Sequence, residues 1–297
     1  MSTRTESGRS VALALGAGGA RGLAHIGVIE WLEAHGFTIH AIAGSSMGAL
    51  VGGIYAAGKL PVYRDWVCRL TRRDVLRYLD LSFGGHGLFK GERIIERLRA
   101  MVGEHRIEDL PIAYTAVATD LDRGRELWLN RGPLFDAIRA SIAVPTVFTP
   151  HVLHGRRLVD GGLLNPLPIA PTTAHPSDLV VAVNVHAPPA QQGAAPVPEA
   201  DDEDDEEEGG AMAGLLESLR GRRGRRGEGL GFFDIVLKSL DAMQNAMVRF
   251  KLAAYSPDAL ISIPRDVCLA YEFYRARELI ELGRARAEAV LGPLLED

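Results

Sequence analysis

Ile42-Ala43-Gly44-Ser45-Ser46-Met47-Gly48-Ala49-Leu50 carries an apolar, strand-like run into Gly-x-Ser-x-Gly and leaves it in a small-residue helical pattern. The spacing predicts a nucleophile elbow with Ser46 at its tip. A strand that turns sharply into a helix brings backbone segments together, and Gly44 and Gly48 leave out the Cβ atoms that would collide there. The helix start behind Ser46 adds a positive dipole end where an oxyanion would form. A glycine-rich turn without chemistry fits the five residues equally well, so the decision rests on their neighbours.

Upstream, Val11-Ala12-Leu13-Ala14-Leu15 reads as a buried strand and runs into Gly16-Ala17-Gly18-Gly19-Ala20-Arg21-Gly22, with a helical pattern after it. Bare N–H groups on such a loop suit a nucleotide phosphate or the oxygen of a tetrahedral intermediate. A dinucleotide site wants an acidic residue at the end of the second strand, yet here that strand ends in the serine elbow. A phosphate loop wants Gly-Lys-Ser/Thr, and no lysine precedes Lys59. Downstream, Val159-Asp160-Gly161-Gly162 sets a carboxylate at the end of a short apolar segment, before a tight turn.

These three stretches, in this order, resemble the bacterial patatin-like phospholipase family, related to the catalytic domain of neuropathy target esterase. Gly16 to Gly22 is similar to the family's oxyanion loop with its arginine, Gly44 to Gly48 to its elbow, and Asp160-Gly161-Gly162 to its Asp-Gly-Gly motif. Ala140 to Pro145 and Ala276 to Gly283 are weaker echoes, and Ala17 stands where many members have a third consecutive glycine. The resemblance implies a Ser46–Asp160 dyad in place of a triad. It also implies an oxyanion hole from Gly18, Gly19 and Arg21, and release of fatty acid from phospholipid or lysophospholipid through an acyl-enzyme without a cofactor or metal. A carboxylate is a weak base near neutrality, so such a dyad needs desolvation and strong oxyanion stabilisation.

Two other readings stay open. A Ser-His-Asp esterase of small soluble esters would draw on His175 or His186, the histidines that follow Asp160. A catalytically silent lipid-binding module would keep the fold alone. Asp120 and Asn165 are candidates to support the site, Asp120 more simply as a turn acid. Ser45 and Ser141 lack the paired glycines that mark Ser46.

The chain has 297 residues, 47% of them hydrophobic, enough for one sizeable core. Short apolar strands (Val11–Leu15, Ile39–Ala43, Ile112–Thr119, Leu179–Val185) alternate with helical patterns. This predicts a three-layer α/β/α fold with a mixed or mostly parallel sheet, in a single catalytic domain over 10–297. Residues 1–9 form a short leading segment. The stretch 188–228 is expected to be a low-complexity insertion unable to bury a core: nine acidic residues lie between Glu199 and Glu208 and five arginines between Arg220 and Arg226. Its arginines suit anionic headgroups, but an insertion without a specific partner is the simpler reading. Leu88-Phe89 suits an acyl pocket or plain core. The stripe Phe232, Phe233, Ile235, Val236, Leu240, Met243, Met247, Phe250 reads first as core packing and second as a dimer or membrane face. A net charge of −5 gives nucleic acid no support. Cys68 and Cys268 form no disulfide framework. Arg4 and Arg9 before Val11–Leu15 imitate a signal peptide, whose removal would destroy the loop's strand. The expected location is cytoplasmic, with peripheral contact at the inner membrane surface and homodimer formation as further options.

Overall fold

The computed structural model describes residues 8–78, 89–189 and 232–295. The charged stretch from 190 onward, with both its acidic and arginine runs, and the Ser82–Gly87 break lie outside the described residues, as does Leu88.

Eight strands form one sheet. They are β1 (Ser10–Leu15), β2 (Thr38–Ser45), β3 (Ala113–Asp120), β4 (Arg125–Leu129), β5 (His151–Leu153), β6 (Arg156–Asp160), β7 (Leu179–Ala187) and β8 (Ala259–Pro264). The path β3-β2-β1-β7-β8 is parallel throughout, while β4 and β6 pair antiparallel with β3, and β5 with β6. The helices are α1 (Ala24–Ala34), α2 (Met47–Ala56), α3 (Leu60–Val67), α4 (Arg72–Arg77), α5 (Glu92–Val102), α6 (Leu134–Ser141), α7 (Phe232–Ala254) and α8 (Ala276–Leu291).

Strand alternation in β1 and β7 decides the layers. Val11, Leu13 and Leu15 share one cluster with Val181 and Val183, packed against Ile26 and Ile29 of α1, Ile54 of α2 and Ile280 of α8. Ala14 and Ala182 face the other way, onto Leu167, Ile169 and Val248 of α7. The result is the three-layer α/β/α arrangement around a mixed, mostly parallel sheet that the alternation of strands and helices predicts. Glycine lets α1 and α8 touch: a Cβ on Gly27 would lie 1.9 Å from the Ile280 carbonyl oxygen, and one on Gly283 2.0 Å from that of Ala24.

The stripe on α7 follows the core reading only in part: Val236, Leu240 and Met247 are half-buried, and the side chains of Phe232 and Phe233 lie outside the described residues. Ile235, Met243 and Phe250 are exposed, and the buried Val248 lies on the opposite side with Asp241 and Leu252. Seven and eleven residues are whole numbers of turns, so those three share the inward face. Among the described residues no helix is long and apolar enough to cross a membrane.

The detail of the sheet that matters most is how β3 is shared. One edge of β3 carries β4 along Ala116–Asp120, so β2 and β6 must divide the other. β2 pairs up to Ser45↔Val117, then the chain turns off into α2, and β6 takes over at Asp160↔Ala118. Consecutive residues of β3 therefore hold the residue before Ser46 and Asp160 itself.

Candidate active site

Ser46 sits between β2 and α2 at φ 54°, ψ −121°, a conformation that side chains rarely adopt. Close packing enforces it: a Cβ on Gly44 would come within 2.4 Å of the Gly48 carbonyl and the Ala49 nitrogen, and one on Gly48 within 2.2 Å of the Leu15 carbonyl oxygen. The elbow's two glycines are thus steric requirements. Ser46 is buried, and its hydroxyl donates to Asp160 Oδ2 at 2.5 Å. The other carboxylate oxygen, Oδ1, accepts the Gly162 amide at 2.7 Å. Gly161 has no room for a side chain, because its Cβ would meet the Val117 carbonyl oxygen at 2.0 Å. Burial pushes the Asp160 carboxyl up from its ordinary 3.8 to about 6, against the opposing pull of the Ser46 and Gly162 hydrogen bonds. Asp160 is thereby a stronger base than a surface aspartate.

A residue set aside as a nucleophile, Ser141 at the end of α6, supports this pair. Its buried hydroxyl accepts the Ser46 amide at 2.9 Å and donates to the Val117 carbonyl at 2.5 Å. Ser45 donates to the Asn165 carbonyl at 2.6 Å. Asn165 is itself fully buried but contributes through its backbone. Asp120 accepts the Arg123 amide at 3.1 Å and pairs with its guanidinium, so it is the turn acid of the β3–β4 hairpin.

The loop after β1 meets both halves of the pair. Gly16 borders Gly48, whose Cβ would approach the Gly16 carbonyl at 2.9 Å, and Ala17 borders Gly162, with 2.7 Å between Ala17 Cβ and a Gly162 Cβ. Three loop amides are committed: Gly16 to the Val183 carbonyl, Ala17 to that of Pro166, and Ala20 to that of Ala270. Gly18 and Gly19 between them make no such bond. His25 Nε2 contacts the Gly16 carbonyl at 2.8 Å, and burial lowers its pKa to about 4, so the neutral ring donates from Nε2 and packs as a polar support. Gly22 abuts the helix behind Ser46, since its Cβ would lie 2.5 Å from Met47 Cγ.

Arg21, placed at the oxyanion loop by the resemblance and equally suited to bond loop carbonyls and hold the turn, is placed for the second of these roles. Its Nε donates to the Gly18 carbonyl at 3.2 Å, Nη1 to the Arg265 carbonyl at 3.2 Å and Nη2 to Asp241 Oδ1 at 2.7 Å. Each nitrogen is engaged in holding the loop. Phe89, which suits an acyl pocket or plain core, is buried and bonded through its backbone to Val147 and Thr149, as a packing residue would be.

The structure does not assemble a Ser-His-Asp triad from the two late histidines. β7 begins level with Val11 and Ile39, at the opposite end of the sheet from Ser46, so His175 is roughly 20 Å away by strand rise. His186 ends near the right edge, but its Nδ1 faces Asp241 Oδ1 at 3.3 Å, and neither ring nitrogen bonds to Ser46 or Asp160. Among the described residues no cluster of His, Cys, Asp or Glu is gathered as for a metal ion.

A profile described as patatin-like phospholipase matches residues 13–173. An uncharacterized NTE family protein of Mycobacterium tuberculosis is 40% identical over 97% of this chain and 93% of its own length. Lysophospholipase NTE1 of Kluyveromyces lactis is 35% identical over 61% of this chain, which corresponds to 13% of that much longer protein.

Proposed function

The chain belongs to the patatin-like phospholipase family, and we propose that it is a serine lipid acyl hydrolase of phospholipase A or lysophospholipase type, working through Ser46 and Asp160. The observation that carries this reading is the buried 2.5 Å hydrogen bond from the Ser46 hydroxyl to a carboxylate whose pKa burial has raised to about 6. In the proposed cycle Ser46 Oγ attacks the ester carbonyl carbon while its proton passes to Asp160 Oδ2. The carbonyl oxygen gains the negative charge and takes hydrogen bonds from the Gly18 and Gly19 amides, helped by the positive end of α2. As the carbonyl re-forms, the ester C–O bond breaks and the alcohol or lysophospholipid leaves with the proton from Asp160. Water then repeats the sequence on the acyl-enzyme, giving its proton to Asp160, and a fatty acid departs as Ser46 recovers its hydrogen.

Lipid specificity draws support from the family and from the yeast relative's name, lysophospholipase. The test is hydrolysis of esters of graded acyl length, a phospholipid and its lysophospholipid by wild type, Ser46→Ala, Asp160→Asn, His175→Gln and His186→Gln. The reading expects a preference for long acyl chains and loss of turnover in the first two variants. Turnover that survives Asp160→Asn and dies in a histidine variant overturns the dyad, and a wild type inert on every ester makes the chain a silent lipid-binding module.

A further inference from the structure

The arginine of the glycine loop is held from outside the catalytic pair. Asp241, on the inward face of α7, accepts from Arg21 at 2.7 Å and stands 3.3 Å from His186 Nδ1. Arg21 is 6% exposed, so its charge needs a partner inside the protein. Burial opposes ionisation of Asp241, yet the His186 contact and the Arg21 charge overcome it and hold the carboxyl well below the usual range. The neighbouring turn of α7 also touches the base's own loop, because a Gly162 Cβ would lie 2.8 Å from Gln244 Nε2.

A peptide unit is planar and trans, so the carbonyl of one residue and the N–H of the next point in opposite directions. Fixing the Gly18 carbonyl therefore fixes the Gly19 N–H. Gly19 stands at φ 57°, which glycine adopts without strain, and the Gly18–Gly19 peptide lies between the anchored Ala17 and Ala20 amides with the Arg21 Nε as donor to its carbonyl. We propose that Asp241 is a positioning residue for the oxyanion loop: by holding the Arg21 guanidinium against the Gly18 carbonyl it sets the direction of the Gly19 N–H, tying the active-site geometry to helix α7. This goes beyond the hydrolase reading and rests on it.

The experiment uses the full chain as wild type, Asp241→Asn, Asp241→Ala and Val248→Ala. Val248 is a buried packing residue on the same helix, clustered with Ala14, Leu167, Ile169 and Ala182, and its apolar side chain has no group that could hold the Arg21 guanidinium. Four quantities are read: kcat and KM on one lysophospholipid, the second-order rate of Ser46 phosphonylation by a fluorophosphonate, and Tm. The phosphoryl oxygen of the probe takes the oxyanion's place, so its rate reports the amides directly. Loss of an oxyanion donor costs about 100 to 1000-fold, and loosening one should cost about 10 to 100-fold in kcat and in labelling rate, with KM within about twofold. Asp241→Asn should lose less, since its amide oxygen still accepts from Arg21. Val248→Ala should lower Tm and leave kcat and labelling near wild type. Wild-type labelling and turnover in Asp241→Ala overturn the inference and leave the hydrolase intact, as does an equal kcat loss in Val248→Ala at equal Tm. A wild type that is neither labelled nor active removes the hydrolase reading and this inference with it.

Discussion

If Asp160 is the base, activity must fall in acid as its carboxylate is protonated. Burial raises that carboxyl to about 6, so kcat/KM should be flat above about pH 7 and drop tenfold per pH unit below 6. At pH 5 about one enzyme in ten would hold the free carboxylate that takes the Ser46 proton. The assay is kcat/KM for a short-chain chromogenic ester between pH 4.5 and 8, repeated in His186→Gln. A histidine base would titrate close by, so position alone does not separate the two. Temperature does: carboxyl ionisation is nearly athermal, whereas imidazole ionisation is strongly endothermic and its pKa falls on warming. The expected limb stays near 6 at 10 and 35 °C and persists in His186→Gln. A profile flat down to pH 5, or a limb that moves down on warming or vanishes with His186, refutes the reasoning.

The same burial has a cost in stability. A carboxyl raised from 3.8 to about 6 leaves the fold undisturbed below about pH 4 and destabilises it progressively as pH climbs from 4 to 6, levelling off at about 3 kcal/mol by neutrality. Asp160→Asn should therefore raise Tm at pH 7.5 and leave it near wild type at pH 4, as read by thermal melts at both. Ser46→Gly removes a strained residue at φ 54° and should stabilise the inactive protein by about 1 kcal/mol in denaturant titration. Ser141→Ala leaves the Ser46 amide and the Val117 carbonyl buried without the hydroxyl that joins them. It should cost about 1 to 3 kcal/mol by denaturant unfolding and lower kcat about tenfold, with KM little changed.

The strands that the sequence announces are those buried on both faces. β1, β2, β3 and β7 are apolar runs with few charges, and parallel strands between two helical layers have to be. The elbow was legible because its glycines answer a collision between backbones only a few residues apart. β6 is harder: Arg156-Arg157-Leu158-Val159-Asp160 carries three charged residues in five, and its place depends on β2 ending at Ser45 and vacating the edge of β3, far earlier in the chain. No local pattern encodes such a handover, so the meeting of Asp160 with Ser46 is legible through the family resemblance of its motif and not through the strand pattern. Asp241 has no signal of its own, and Ser141 has only its place in the Ala140–Pro145 echo. A small hydroxyl at a helix end and an acid on an amphipathic helix are common, and their roles come from partners 95 and 220 residues away in sequence. The α7 stripe misled for a related reason: helical spacing identifies a face but not which way it looks, and the inward face carries an aspartate because it meets Arg21.

The site divides into two supports. Nucleophile and base both hang on the Val117–Ala118 stretch of β3, through Ser45↔Val117 pairing, the Ser141 bridge to the Val117 carbonyl and Asp160↔Ala118 pairing. The oxyanion loop hangs mainly on the other side of the sheet, from Val183 of β7, Ala270 and Arg265 after β8, and Asp241 of α7, with one further bond, from the Ala17 amide to the Pro166 carbonyl, to the segment that follows Asp160. The two meet where Gly16 borders Gly48 and Ala17 borders Gly162. Loss of the Asp241 carboxylate alone should thus spoil oxyanion stabilisation while leaving the hydrogen bond between Ser46 and Asp160, and Gln244 beside Gly162 on the next turn of α7, in place. Asp241→Ala should lower the plateau of the pH profile and leave its acid limb near 6. Had Asp241 acted on the base, removing its negative charge would favour the ionised Asp160 and move the limb to lower pH; a limb displaced by half a unit or more would show that the supports are coupled and that α7 tunes the base as well as the loop.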